Sequence, residues 1–297
     1  MGTALLLMNR TRTTLGLILA IAVGTGCNLI KETLTSPTPD TGKPQAVFYT
    51  AIGASDGIGF GGSAPCFPFA ECPNGTGYVQ ILARQLAEGG RTVTLRNLSI
   101  PGAVMNRATE DLAESLGRDI PGNFVEQESP FVPANSTHVT IFAGGNDANN
   151  IALAARTRGA SDPNAYVDAQ VRQWGLDLED LVTRIRNRAA NARIVALNLP
   201  NLAASPYLAS NPNAEKVLMQ RVAVGLSDKV NALTSRGVLV VDLMCDARLY
   251  LAANYYSDGF HPNDGGYAVF AELALPALRD GTASTPSTSC ASRTIFQ

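Results

Sequence analysis

Four short stretches of this chain carry residue types suited to nucleophilic chemistry. Near the C-terminus runs Ser257-Asp258-Gly259-Phe260-His261-Pro262, which holds one of only two histidines in the sequence. Asp258 precedes His261 by three residues, and Gly259 lets the backbone turn between them. An imidazole with a carboxylate fixed beside it is the general base that a serine hydrolase needs. The same spacing also marks ordinary surface turns. It gains meaning only if the chain supplies a nucleophile and donors for an oxyanion. Ser55, in Gly53-Ala54-Ser55-Asp56, is the candidate nucleophile. Gly102, in Ile100-Pro101-Gly102, and Asn146, in Gly144-Gly145-Asn146-Asp147, are the candidate donors. Taken singly, Ser55 and Gly102 read as turn residues and Asn146-Asp147 as a helix cap.

The elements that would position these residues follow from the hydrophobic pattern. Short apolar runs rich in β-branched and aromatic residues predict strands over 46–52, 92–100, 138–143, 193–199 and 238–243. Apolar positions spaced by three and four predict helices over 78–87, 106–116, 165–190, 213–235 and 265–278. Strand and helix alternate, and the strands are almost continuously apolar. That pattern belongs to an α/β protein whose parallel sheet is covered on both faces. In such a sheet the strand ends share one edge, where ligands bind. The turns carrying Ser55, Gly102 and Asn146 each follow a predicted strand, and the His261 loop follows the last one. Residues far apart in sequence can therefore meet.

With these four blocks in this order, residues 46–278 resemble the SGNH hydrolases, also called the GDSL esterases and lipases. The resemblance implies a flavodoxin-like three-layer sandwich with a five-stranded parallel sheet. It implies Ser55 as nucleophile, His261 as base and Asp258 as the group orienting His261. It assigns the oxyanion hole to the backbone N–H groups of Ser55 and Gly102 and to the Asn146 side-chain amide. A glycine at 102 fits, since a side chain there would obstruct the substrate. The chemistry implied is hydrolysis of carboxylic esters through an acyl-enzyme, with no metal or cofactor. One departure stands out. The common Gly-Asp-Ser is Gly-Ala-Ser here, and Ala54 leaves the support of Ser55 unexplained. Asp56 and Asp147 receive no catalytic role, and His138, opening a strand, reads as structural.

Composition sets the surroundings. The chain has 297 residues, 45% of them hydrophobic, with a net charge of −2. That supports one large domain and gives no basic footprint for nucleic acid. Residues 1–27 read as an export signal, with Arg10 and Arg12 before an apolar run from Leu15 to Val23 that is too short to span a bilayer comfortably. Cys27 closes a stretch resembling a bacterial lipobox, which implies lipidation at Cys27 and a membrane anchor. Gly24 departs from that pattern, and ordinary cleavage near Gly26 is the alternative. Residues 28–45 form a Pro/Thr-rich linker, 46–280 the hydrolase domain, and 281–297 a C-terminal tail. In an exported protein the four remaining cysteines favour disulfides. Of three pairings, Cys66–Cys72 and Cys245–Cys290 is preferred, because the first closes a short loop and the second pins the tail. The substrate is a small-molecule, lipid or glycan ester. An acyltransferase acting on a glycan or lipid, and a ligand-binding lipoprotein without turnover, are the alternative functions.

Overall fold

A computed structural model describes residues 46–297 apart from 68–69 and 159–160. The proposed signal, Cys27 and the linker lie outside the described residues. Five parallel strands form the sheet: β1 (Val47–Gly53), β2 (Val93–Asn97), β3 (His138–Phe142), β4 (Arg193–Leu197) and β5 (Leu239–Val241). Their order is β2-β1-β3-β4-β5, the flavodoxin-like arrangement. Consecutive residues of a strand serve opposite layers. Ile194 and Ala196 of β4 enter one core, and Val195 and Leu197 enter the other. This is why the inner strands read as nearly unbroken apolar runs, whereas β2, at the sheet edge, alternates apolar with exposed polar residues.

Helices cover both faces. On one lie α4 (Gly145–Arg158), α5 (Pro163–Arg188) and α6 (Asn213–Ala232), which bring Ile151, Trp174, Leu178 and Val222 to the sheet. On the other lie α2 (Tyr78–Ala87) and α7 (Asp264–Leu275), which bring Tyr78, Leu82, Tyr267 and Phe270. Two further helices are short: α1 (Ser55–Ile58), directly after β1, and α3 (Arg107–Glu114).

Most predicted elements are present, with ends moved by a few residues. Two differences bear on function. The second strand stops at Asn97, not at 100, because the chain leaves the sheet edge after β2. And α4 had no counterpart in the helical pattern. Its first turn, Gly145-Asn146-Asp147, resembles a cap, and the short alanine side chains that follow dilute the apolar stripe. The tail is packed along the domain. Cys290 is bonded to Cys245, Arg293 pairs with Asp228 at 2.6 Å, and Asp242 accepts from the Ser287 N–H at 2.8 Å. The second disulfide joins Cys66 to Cys72.

Candidate active site

The candidate nucleophile sits where β1 ends. Ser55 opens α1, a helix of one turn that the left-handed Gly59 closes. Tight packing makes this turn possible. A Cβ on Gly57 would lie 1.9 Å from the Ser99 hydroxyl, and the Asn97 amide donates to the Gly57 carbonyl at 2.8 Å. Ser55 is almost fully buried, with 6% of its surface exposed, so its hydroxyl meets few waters that could compete for it.

The Ser55 hydroxyl lies 2.8 Å from Nε2 of His261, and Nδ1 of His261 lies 2.6 Å from the Asp258 carboxylate. The loop that holds this pair is fixed by its own sequence. The other Asp258 oxygen accepts the backbone N–H groups of Phe260 and His261, at 2.9 and 3.0 Å, which forms an Asx turn. Gly259 is left-handed, and a Cβ there would press to 2.6 Å from the Tyr207 nitrogen. Phe60 and Phe260 both contact the imidazole, with ring centroids 4.7 and 4.9 Å away. The Tyr267 hydroxyl donates to the Phe60 carbonyl at 2.6 Å, so α7 fixes the backbone that carries one of these two rings. Burial pushes the Asp258 pKa up. The His261 ring and the two N–H donors together outweigh that, and the carboxyl sits below its ordinary value. It therefore stays charged beside the imidazole.

The candidate oxyanion donors are brought to the same edge. Gly102 has φ of +85°, so a left-handed backbone and the nearness of Pro121 demand glycine there. That is a more direct reason than clearance for a substrate. Among the described residues, the backbone N–H groups of Ser55 and Gly102 have no protein acceptor. Asn146 lies in the first turn of α4, and its amide donates one hydrogen to the Ala103 carbonyl at 3.0 Å. The second hydrogen remains for a ligand. The turns after β1 and β3 flank the point where the strand order reverses, where open α/β sheets bind ligands.

Two fully buried acids brace these turns, and neither was given this part from the sequence. Asp147 accepts the Met105 N–H at 2.8 Å, just beyond Gly102. Burial raises its pKa to about 7, against the lowering effect of the Met105 N–H, its own N–H and the nearby Trp174 indole. Glu128 accepts the Gly53 N–H at 3.0 Å and the Ile100 N–H at 3.1 Å, one on each oxygen. Half-buried Asp56 faces a small apolar cavity of about 30 Å³, lined also by Leu199, Leu202, Tyr255, Phe260 and Phe270. Burial raises the Asp56 pKa, and the charge on His261 partly offsets that. His138 opens β3 at the end of the sheet away from this edge. Burial, with Arg193 and Arg91, depresses its pKa to about 4, which suits the structural part expected of it.

A serine, histidine and aspartate in hydrogen-bonded series, at the carboxyl edge of a doubly wound sheet, define the hydrolase class of α/β proteins. The family follows from the sequence. Residues 51–269 match the GDSL-like lipase/acylhydrolase family, and the chain belongs to it. It is an ester hydrolase of that family. No curated protein matches the sequence. Among solved structures, an extracellular lipase from Streptomyces rimosus is similar at 19% identity, over 80% of this chain and 100% of that one, with a TM-score of 0.51. A lipase from a goat rumen metagenome is similar at 19% identity, over 78% and 97%, with a TM-score of 0.56. Phospholipase A1 from Streptomyces albidoflavus is similar at 17% identity, over 80% and 100%, with a TM-score of 0.52. At these identities the likeness concerns the fold.

Proposed function

We propose that the protein hydrolyses carboxylic esters through an acyl-enzyme formed on Ser55. The observation that carries this reading is the unbroken series from Ser55 through His261 to Asp258, with contacts of 2.8 and 2.6 Å. His261 takes the Ser55 proton as the hydroxyl attacks the ester carbonyl. The tetrahedral oxyanion receives the Ser55 and Gly102 N–H groups and the free Asn146 amide hydrogen. His261 then protonates the leaving alcohol, and in the second half it activates water against the acyl-enzyme. Asp258 holds the Nδ1 proton throughout and stabilises the imidazolium. An aimed donor of this kind is typically worth ~100-fold or more in rate.

Export and a lipid anchor at Cys27 belong to the same proposal. They would place the site outside the cytoplasm, on a tether of residues 28–45.

A p-nitrophenyl ester series from acetate to palmitate tests the reading. The wild type should turn over at least one member of the series. Ser55→Ala and His261→Ala should each lower kcat by roughly 10⁴-fold or more. Full activity in either variant would remove the assignment.

A further inference from the structure

The first block of this chain has no polar side chain between Gly53 and Ser55, because position 54 is alanine. Yet the block lies where the sheet has opened. The last residue pair joining β1 to β2 is Ala51 with Asn97, and beyond it β2 leaves the ladder. Two backbone bonds still cross the gap, Leu98 N–H to the Ala51 carbonyl at 2.9 Å and Ile100 N–H to the Gly53 carbonyl at 3.2 Å. The Gly53 N–H faces the same gap and meets no β2 carbonyl. The Glu128 side chain fills the place. It comes from a helical turn at Phe124–Glu128 and is fully buried.

We infer that Glu128 is the positioning residue of the oxyanion hole, tying the turn that carries Ser55 to the turn that carries Gly102. One Glu128 oxygen holds the N–H two residues before Ser55, and the other holds the N–H two residues before Gly102. The oxygens of one carboxyl group have a fixed separation, so this side chain, sharing the Ile100 N–H with the Gly53 carbonyl, helps to set the spacing of the two backbone segments that supply the donors. A donor misplaced by an ångström loses most of its effect on the transition state. Burial raises the Glu128 pKa well above its ordinary value, and the Gly53 and Ile100 N–H groups lower it by less. Either protonation state leaves an oxygen facing each N–H. Asp147 anchors the far side of the same segment at Met105, so the Gly102 turn is held from two directions.

This inference rests on Ser55 being the nucleophile, and its test separates the two. In Glu128→Gln one oxygen becomes an NH₂ group facing a backbone N–H, so the bridge opens on one side. Each variant is assayed with p-nitrophenyl butyrate, and kcat is divided by the serine sites counted at the end-point of fluorophosphonate labelling. We expect kcat per site to fall about 10- to 100-fold, with KM within about twofold of wild type. Affinity for an alkyl boronic acid, which mimics the tetrahedral adduct, should fall by a similar factor. Ser129→Ala is the control. Ser129 is buried in the next turn and donates to the Val125 carbonyl without touching Gly53 or Ile100. It should lower thermal stability and leave kcat per site unchanged. If Glu128→Gln does not fold, Glu128→Asp replaces it, a methylene too short to reach both N–H groups. Wild-type kcat per site in the folded Glu128 variant would overturn the inference, as would an equal loss in Ser129→Ala or a loss confined to KM. Hydrolysis retained by Ser55→Ala would instead overturn the esterase reading.

Discussion

Replacing Asp147 with asparagine isolates the energetic cost of keeping an ionisable group in the wall of this site. Asp147 is fully buried, and one of its oxygens has no partner at hydrogen-bonding distance. Its pKa rises from 3.8 to about 7, mainly through burial. Below pH 4 the carboxyl is protonated in folded and unfolded chains alike, and it gives no pH dependence. Between about pH 4 and pH 7 the unfolded chain gives up this proton while the folded chain keeps it. The folded state then binds more protons, so stability falls as the pH rises, and the full cost is reached above pH 7. Three pH units at 1.36 kcal/mol each set a ceiling of about 4 kcal/mol. Asparagine keeps the acceptor for the Met105 N–H but cannot ionise. The stability of Asp147→Asn relative to wild type should therefore rise by up to about 3 kcal/mol from pH 4.5 to pH 8. Urea unfolding at half-unit pH steps measures it, followed by circular dichroism and by Trp174, the only tryptophan in the chain. Taking the difference between the two proteins removes the contribution of Glu128, which has the same sign in both. A difference that stays constant across this range would show that Asp147 ionises at its ordinary pKa in the folded state, and the reasoning would fail.

Two other perturbations test the neighbouring parts. Asp258→Asn keeps the Asx turn through its carbonyl oxygen but turns an NH₂ group toward His261 Nδ1. That forces the imidazole proton onto Nε2, where it faces Ser55 instead of accepting from it. We expect kcat for p-nitrophenyl butyrate to fall by about 10⁴-fold with little change in KM or melting temperature. The Cys245–Cys290 disulfide closes a loop with a sequence separation of 45. Chain entropy gives it at most about 4 kcal/mol, so Cys245→Ser/Cys290→Ser should lower the urea midpoint while sparing kcat. A loss of turnover without a loss of stability would show that the tail reaches the site.

The sheet was legible because its signal is redundant. The inner strands are apolar runs bounded by glycine, proline or polar turns, the edge strand β2 alternates, and a residue of error at either end changes little. The four candidate site blocks were legible for another reason. Their chemistry needs particular side chains, and parallel strands bring their ends to one edge whatever the intervening sequence. Glu128 and Asp147 were not legible in this way. Each acts through backbone N–H groups, and any residue can present a backbone N–H. Nothing in Phe124-Val125-Glu126-Gln127-Glu128 marks the last residue as buried and the third as surface-facing, because that depends on a helical turn closed by Asn123, which accepts the Glu126 N–H at 2.7 Å. The same limit explains Gly102. The sequence offered clearance for a substrate as the reason for glycine, whereas the observed reason is a backbone angle that only the folded chain displays.

Asp258, Asp147 and Glu128, three of the carboxyl groups near the site, show how environment divides one functional group among different tasks. Asp258 is about one-third exposed and accepts from an imidazole and two N–H groups, so it holds its charge below the ordinary carboxyl range. A charged acid is what an imidazolium-forming base needs beside it. Asp147 and Glu128 are buried and accept from the backbone N–H groups of Met105, Gly53 and Ile100, and burial drives both pKa values up. Their value lies in geometry, since they hold the backbone on either side of the turns that carry Ser55 and Gly102. These two tasks conflict in their demands on solvent. In the proposed mechanism the base must exchange protons with substrate and water, while the proposed clamps must exclude water or lose their hold on the backbone. The fold resolves the conflict by position. Asp258 rides on a surface loop after the last strand, whereas Glu128 and Asp147 lie in the sheet-to-helix layer beneath the oxyanion turns. A surface acid moved into that layer would raise its pKa and cease to support His261. A buried clamp moved outward would leave the donors free to drift.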